Sequence, residues 1–283
     1  MTTQPTRPLG LAHLSSLTTE PPKLVELAAE AGFDFVGIRV RPVTAQETPF
    51  NVQPGSPMLA ETLARLDATG LRVKDTEFLL LDGTDQREAW LQMFEAAQAL
   101  GAESMTVAVA DTDRSRVIDT LGQMTADGKS YGITPALEPI SYQAVNSYPG
   151  AREIAEQTGV TVLVDTLHAA RFGATVEDLR AAALQVPMIQ ICDAAAQQPA
   201  SNEALVEESR SGRFPAGEGA QDLAAMIAAV DAGRGAHEDL LPVSVEVPNS
   251  VLQNSMSPQD WANRLYTTAR TLLDNIGLTP QQA

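Results

Sequence analysis

The feature that most constrains the fold of this chain is the alternation of a short apolar segment with a longer amphipathic one. The 283 residues contain eight such units of about 35 residues each. In the first unit a short apolar segment at 9–12 precedes a helical pattern that begins near Lys23 and stops at Gly32. Regular alternation of this kind is typical of parallel strands joined by helices.

Eight units predict one α/β domain over residues 1–283, a single (β/α)8 TIM barrel. A doubly wound sheet typically has fewer strands and a glycine-rich first turn, and no G-x-G-x-x-G motif follows the first predicted strand. The predicted strands are 9–12, 33–40, 71–78, 104–110, 134–138, 160–164, 186–193 and 241–247. The predicted helices are 23–31, 58–68, 84–100 with Thr84 as N-cap, 115–126, 150–157, 176–184, 220–232 and 258–276, and a long polar insertion covers 194–219.

Composition excludes several functional classes. The 36 acidic and 19 basic residues give a net charge of −17, which repels nucleic acids and anionic membranes. No apolar run approaches the roughly 18 residues that a membrane span needs, and the first residues lack the apolar core of a secretory signal. We therefore expect a cytoplasmic protein that binds neither nucleic acid nor membrane. Alanine-rich helix faces leave open packing as a homo-oligomer as well as packing on the barrel.

Oxygen-bearing side chains follow four of the predicted strands at the same end. Glu138, Asp165 and Glu246 each end an apolar segment, and Gln190 lies near the end of another. Parallel barrel strands bring their carboxyl ends together at one face, where such barrels carry their chemistry. Three carboxylates and an amide oxygen suit a divalent cation, Mn²⁺ or Mg²⁺, with Co²⁺ and Zn²⁺ as alternatives. Each acid alone could equally be a solvated loop residue, and Gln190 could simply satisfy backbone groups.

Other polar residues near the predicted strand ends are candidates for substrate contact. His168, three residues after Asp165, is expected beside the metal as a hydrogen-bond donor to a substrate oxygen, or else as a capping or core histidine. Arg213 opens a glycine-rich loop and suits a substrate hydroxyl, carbonyl or carboxylate. The remaining candidates at this rim are His13, Arg39 and Glu77.

Three further residues receive weaker predictions. Asp193 is expected to orient a metal ligand or His168. Cys192, the single cysteine, has no partner histidine at a readable spacing and is expected to be a buried core thiol. His237 lies in a polar loop and is expected to be solvated.

The order of these motifs resembles the sugar phosphate isomerase/epimerase superfamily, also called xylose isomerase-like TIM barrels. The resemblance rests on Glu138 in Ala-Leu-Glu-Pro, Asp165-x-x-His168, Gln190-x-x-Asp193, Arg213 with Gly217-Glu-Gly219, and Glu246. It implies that Glu138, Asp165, Gln190 and Glu246 bind one divalent metal and that the two glutamates are the acid/base pair. Many members have histidine where this chain has Gln190. The superfamily's endonuclease branch has many more histidines than the three present here.

Three functions are compatible with these residues. The first is metal-dependent isomerisation or epimerisation of a keto sugar or small hydroxy-keto compound by proton transfer through an enediolate, with His168 and Arg213 holding substrate oxygens. The second is a lyase of the dehydroshikimate or inosose dehydratase type, in which the same enediolate loses a β-hydroxyl group. The third is an inactive barrel that binds a sugar-like ligand.

Overall fold

A computed structural model describes residues 6–235 and 240–278, so the prediction for His237 lies outside the described residues. The strands are β1 (Leu9–Leu11), β2 (Phe35–Arg39), β3 (Arg72–Leu81), β4 (Ser104–Val109), β5 (Thr134–Leu137), β6 (Thr161–Val162), β7 (Val164–Asp165), β8 (Ile189–Ile191) and β9 (Val243–Val245). All pair in parallel in the order β6-β5-β4-β3-β2-β1-β9-β8-β7.

The two ends of this sheet are halves of one strand. Only Leu163 separates β6 from β7, and its N–H donates to the carbonyl of Leu137 at 2.9 Å. Since β6 pairs with β5 and β7 pairs with β8, the interrupted strand closes the sheet on itself. The described residues therefore form an eight-stranded parallel barrel, and the predicted TIM barrel is confirmed.

Helices connect successive strands around the barrel. They are α1 (Pro21–Ala31), α2 (Pro57–Thr69), α3 (Arg87–Leu100), α4 (Arg114–Gly128), α5 (Tyr148–Thr158), α6 (Thr166–Arg171), α7 (Val176–Ala182), α8 (Asn202–Ser211), α9 (Leu223–Arg234), α10 (Ser250–Gln253) and α11 (Pro258–Leu278). None of the helices in the described ranges is long and apolar enough to cross a membrane.

Local sequence signals define most helix ends. In α2 the side chain of Ser56 accepts from the N–H of Leu59, Pro57 occupies the first turn, and Gly70 ends the helix at φ 74°. The predicted N-cap at Thr84 is wrong, because its hydroxyl and N–H both donate to Asp82 and α3 begins at Arg87. A local turn competes successfully with the helix there.

Two helices lie in segments to which the sequence pattern assigns no helix. The insertion at 194–219 contains α8, whose N-cap Ser201 accepts from Ala204 N–H. Directly after β7, Asp165 caps α6 by accepting from His168 N–H. Both helices lie at the end of the barrel where the candidate site residues collect.

The barrel interior has an apolar layer below a polar one. Phe35, Ala136, Leu163 and Met188 form a separate buried apolar cluster. Gly10 leaves room for this layer, since a Cβ there would lie 2.0 Å from the Phe35 ring. Side chains two residues apart on a strand share a face, so the next inward positions lie one layer nearer the carboxyl end of the barrel. These positions are occupied by Gly37, Glu138, Asp165 and Gln190.

Candidate metal centre

The four predicted metal ligands lie at the carboxyl ends of consecutive strands of the barrel. Glu138 follows β5, Asp165 ends β7, Gln190 lies in β8 and Glu246 follows β9. Asp165 and Gln190 are paired in register, and the Gln190 amide donates to Glu246 Oε1 at 2.9 Å. All four residues are at most 5% exposed. Strand order thus brings together residues that span more than a hundred positions of the chain.

Arg213 lies among these acids, deeper than a mouth loop would place it. Its Nη1 contacts Asp165 Oδ2 at 2.6 Å and Glu246 Oε2 at 3.0 Å, while its Nε donates to the Ser209 carbonyl at 2.9 Å. The residue is 1% exposed. Two buried carboxylates raise the pKa of the guanidinium further against the effect of burial, so Arg213 is a fixed positive charge in the acid cluster.

His168 joins Glu138 and Asp165 in a compact group. Within the described residues, these three offer ligand atoms that all lie within 4.8 Å of one another. The Asp165 cap positions the histidine, whose Nε2 lies 3.8 Å from Glu138 Oε1 and whose Nδ1 lies 3.2 Å from the Ser141 hydroxyl. The sequence predicts His168 beside the metal as a hydrogen-bond donor to substrate. The first turn of α6 brings its ring within reach of the same ion as Glu138 and Asp165.

Burial and mutual repulsion perturb the titration of the acids. Burial, reinforced by the charge of Asp165, raises the pKa of Glu138 to about 8. The pKa of Glu246 is likewise raised, first by burial, with Arg213 opposing the shift. Burial would also raise the pKa of Asp165, but Arg213 and His168 outweigh it and leave the pKa below its ordinary value. Full ionisation of the three acids is therefore unfavourable unless a further positive charge lies among them.

The donor set fits a divalent cation. Three carboxylates and one guanidinium leave two uncompensated negative charges when all are ionised, which is the charge that a divalent cation balances. Gln190 Oε1 is buried and has no hydrogen-bond partner, although its own amide nitrogen is bound to Glu246. An unpaired buried oxygen beside carboxylates is what an oxygen-liganded ion would satisfy. Glu138, Asp165, Gln190, Glu246 and His168 are thus available to such an ion.

A cavity of about 220 Å³ opens above the acid cluster. Glu138, His168, Gln190, Arg213 and Glu246 reach its surface. Its apolar lining residues are Leu14, Leu17, Val43, Phe78, Leu80 and Ile140. The lining therefore combines the charged groups of the acid cluster with apolar side chains and with further polar ones such as Thr44, Tyr142 and Gln143, which suits a small polar molecule.

Of the three other predicted substrate residues, Arg39 and Glu77 line the cavity. Arg39 lies 3.4 Å from Glu77 and 3.8 Å from Glu47, a residue of the β2–α2 loop. Glu77 does not end its strand as predicted, because β3 continues to Leu81.

His13 does not line the cavity. Its Nδ1 accepts from the Arg39 N–H at 2.9 Å and its Nε2 lies 2.8 Å from the Thr19 carbonyl. Burial lowers the pKa of the imidazole to about 4. With both nitrogens bound to backbone, His13 holds the β1 and β2 ends together and has no free nitrogen for the predicted substrate contact.

Asp193 organises the loop before α9 and does not orient a metal ligand or His168 as predicted. Its carboxylate accepts from the N–H groups of Ala194, Gly217 and Gln221 at 2.8, 3.0 and 2.9 Å. Gly219 packs directly against it, since a Cβ there would lie 2.4 Å from Asp193 Oδ1. Backbone donors outcompete the imidazole for this carboxylate. Cys192 is buried, as predicted, with its pKa raised to about 12 by burial.

Sequence reasoning missed the part of α8 that borders the cavity. Ser209 and Arg210 line it together with Tyr142 and Gln143 of the β5–α5 loop. The Tyr142 hydroxyl donates to Ser209 Oγ at 3.1 Å. Tyr142 lies four residues after Glu138, a spacing that indicates a residue near the site. The Glu-Glu-Ser-Arg segment at 207–210 has no sequence pattern that indicates contact with a site.

Solved structures of other proteins share this fold. A zinc-bound IOLI protein is 19% identical with a TM-score of 0.78, covering 96% of this chain and 100% of that one. The probable 3-DHS dehydratase AsbF from Bacillus anthracis, involved in petrobactin synthesis, is 13% identical with a TM-score of 0.71, covering 93% and 98%. A D-psicose 3-epimerase solved with D-fructose is 12% identical with a TM-score of 0.67, covering 94% and 99%.

The sequence itself identifies the family. No curated protein matches the chain. The family model described as xylose isomerase-like TIM barrel matches residues 25–264, which include every predicted metal ligand. The chain therefore belongs to the xylose isomerase-like TIM barrel family.

Proposed function

We propose that this protein is a divalent-metal-dependent isomerase or epimerase. Its substrate is a keto sugar or small hydroxy-keto compound, and the reaction moves a proton next to the carbonyl through an enediolate. The observation that carries the proposal is the convergence of buried Glu138, Asp165, Gln190 and Glu246 at one end of the barrel, with an unpaired amide oxygen among them. When bound, Mn²⁺ or Mg²⁺ supplies positive charge against developing negative charge on substrate oxygens.

The two glutamates are the proposed acid/base pair. Glu138 and Glu246 follow strands that are three positions apart in the barrel, so they approach the cavity from different sides. One removes a proton from the carbon next to the carbonyl and the other delivers a proton to the neighbouring carbon or to the opposite face of the same carbon. His168 and Arg213 hold substrate oxygens in place.

Dehydration is a second candidate because the site holds a third proton carrier. The Ser141 N–H faces His168 Nδ1 at 3.5 Å, which leaves Nε2 as the N–H that points toward Glu138 and the cavity. Isomerisation needs two proton-transfer groups, and a third donor suits protonation of a departing hydroxyl. A product screen over keto sugars, hydroxypyruvate, inosose and dehydroshikimate distinguishes the two reactions, since dehydration yields a conjugated product that absorbs in the ultraviolet.

Replacing Glu246 by Gln tests the proposal. We expect kcat to fall by about 10²–10⁴-fold, because the variant keeps an oxygen for the metal but cannot transfer a proton. Metal content measured by mass spectrometry and the melting temperature separate this loss from misfolding. Glu218→Gln is the matched control, because Glu218 pairs with Arg264 at the surface and does not line the cavity. A near-normal kcat in Glu246→Gln would remove the proposed role, and a wild-type protein that takes up no metal would favour an inactive barrel.

A further inference from the structure

Arg210 has a different environment from the other arginines of the cavity. Arg213 is paired with two acids of the metal centre, and Arg39 is paired with Glu77 and Glu47. Arg210 lines the same cavity, is exposed, and makes no ion pair or hydrogen bond to any residue in the described ranges. Arg41 and Arg72 also make no side-chain ion pair or hydrogen bond within the described ranges, but neither of them lines this cavity.

The backbone that carries Arg210 is held firmly on both sides. Glu208 forms a buried ion pair with Arg171, whose Nε donates at 2.7 Å. Ser209 accepts from Arg213 Nε through its carbonyl and from the Tyr142 hydroxyl through its Oγ. These contacts fix the last turn of α8, so the Arg210 guanidinium is delivered to the rim of the cavity by a rigid element.

The acids nearest in sequence are already engaged. Glu208 binds Arg171, and Glu207 accepts from the Ser211 hydroxyl. On the cavity side, Arg210 and Tyr142 both belong to the lining, and the Tyr142 hydroxyl donates to Ser209, the residue before Arg210. The guanidinium thus faces the cavity mouth with its donors free.

The cavity lining suits a polar molecule with one charged end. Six apolar side chains, from Leu14 to Ile140, contribute to the lining, and polar side chains such as Thr44, Thr106 and Gln143 lie among them. Hydroxyl groups of a substrate therefore find hydrogen-bond partners in the lining. The free guanidinium of Arg210 is best satisfied by a negatively charged group of the same molecule.

We propose that Arg210 is the anion-recognition residue of the site and that the natural substrate carries a carboxylate or phosphate group. This inference rests on the proposed function, because it assigns the far end of the same substrate whose carbonyl lies at the metal centre. The planar guanidinium binds either oxyanion through two parallel N–H donors. Arg210 is a specificity residue and takes no part in proton transfer.

Matched pairs of compounds test the proposal by binding. Isothermal titration of the Mn²⁺-loaded protein compares 3-dehydroshikimate with its methyl ester, and D-fructose 6-phosphate with D-fructose. We expect the anionic member of one pair to bind at least about tenfold more tightly than its neutral partner, and the pair that shows the difference identifies the oxyanion. Raising the salt concentration should reduce the preference, because Arg210 is exposed.

Two variants assign the preference to Arg210. Arg210→Gln should abolish it, whereas Arg180→Gln should keep it, because Arg180 is a surface residue outside the cavity and its loss changes the net charge equally. Equal binding of both members of both pairs, no binding of either anion, or a preference that persists in Arg210→Gln would each overturn the proposal.

Kinetics keep this test separate from that of the proposed function. For a compound that reacts, Arg210→Gln should raise KM for the anionic member with little change in kcat. Turnover of neutral compounds alone would refute the anion site and leave the isomerase proposal intact. An Arg210-dependent preference in binding, without turnover of any compound, would refute the isomerase proposal and leave the anion site intact.

Discussion

Replacement of Arg213 by Met removes a cation that contacts two acids of the metal centre. Methionine keeps much of the apolar stem, so the change removes chiefly the guanidinium, which lies 2.6 Å from Asp165 and 3.0 Å from Glu246. Removing one partner of a buried ion pair costs about 3–5 kcal/mol, because the remaining charge stays buried. For metal-free protein we expect the free energy of unfolding to fall by about 3 kcal/mol, the lower end of this range. The loss is limited because burial already raises the pKa of Glu246, so that a proton can replace part of the lost charge.

Metal should restore much of this loss. A ligand at 100 times its Kd stabilises the folded state by about 2.7 kcal/mol. Mn²⁺ should stabilise Arg213→Met by more than it stabilises the wild-type protein, since Asp165 and Glu246 are no longer engaged by the guanidinium. Urea unfolding followed by circular dichroism, with EDTA and with excess Mn²⁺, gives the four free energies of unfolding.

The control for this experiment is Arg171→Met. Arg171 also forms a buried ion pair, with Glu208, but it does not line the cavity. Its loss should destabilise the protein to a similar extent in EDTA and in Mn²⁺. The reasoning is refuted if Arg213→Met loses less than about 1 kcal/mol in EDTA, or if Mn²⁺ stabilises it no more than it stabilises the wild-type protein and Arg171→Met.

Two further predictions concern positions outside the metal centre. The pKa of His13 is about 4 in the folded protein and near 6.5 when unfolded, so its contribution to stability is complete above pH 6.5 and is lost as the pH falls toward 4. Between pH 7 and pH 5 the wild-type protein should lose about 2 kcal/mol more than His13→Gln in urea unfolding; parallel pH profiles would contradict this. Gly219→Ala places a Cβ 2.4 Å from Asp193 Oδ1 and 2.5 Å from the Ala194 carbonyl, and thermal unfolding should show a loss of about 1–3 kcal/mol. The control is Gly122→Ala in α4, where no atom lies within 4 Å of the new Cβ; its free energy of unfolding should rise by about 0.5–1 kcal/mol. If Gly219→Ala causes no loss of stability, Gly219 does not pack against Asp193 as described.

The barrel and its acidic rim could be predicted from the sequence because both follow from strand periodicity. Apolar segments that end in Glu138, Asp165 and Glu246 fix which face and which end of the barrel carry the acids, and the structure places them there. The period of two along each strand determines that relation without any knowledge of distant contacts.

The residues whose environments could not be predicted depend on competition between partners. Asp193 had three backbone N–H groups as alternative donors, and nothing local reveals that they prevail over His168. Arg210 and Arg213 lie three residues apart, yet Arg210 is exposed in the last turn of α8 while Arg213, two residues beyond the helix, is buried among the acids. Such outcomes arise from tertiary packing of an insertion whose own sequence is polar.

In the layered barrel interior, the register of each strand determines both the apolar layer and the polar layer above it. Ala136 and Glu138, Leu163 and Asp165, and Met188 and Gln190 are inward neighbours, so the alignment that completes the apolar layer also places the donors above it. A shift of one residue in the register of any of these strands would turn the apolar side chain and the metal-binding candidate two residues later away from the barrel interior together. Cation uptake therefore reports on correct barrel closure, and chains that close wrongly should be recognisable as the fraction that retains no metal.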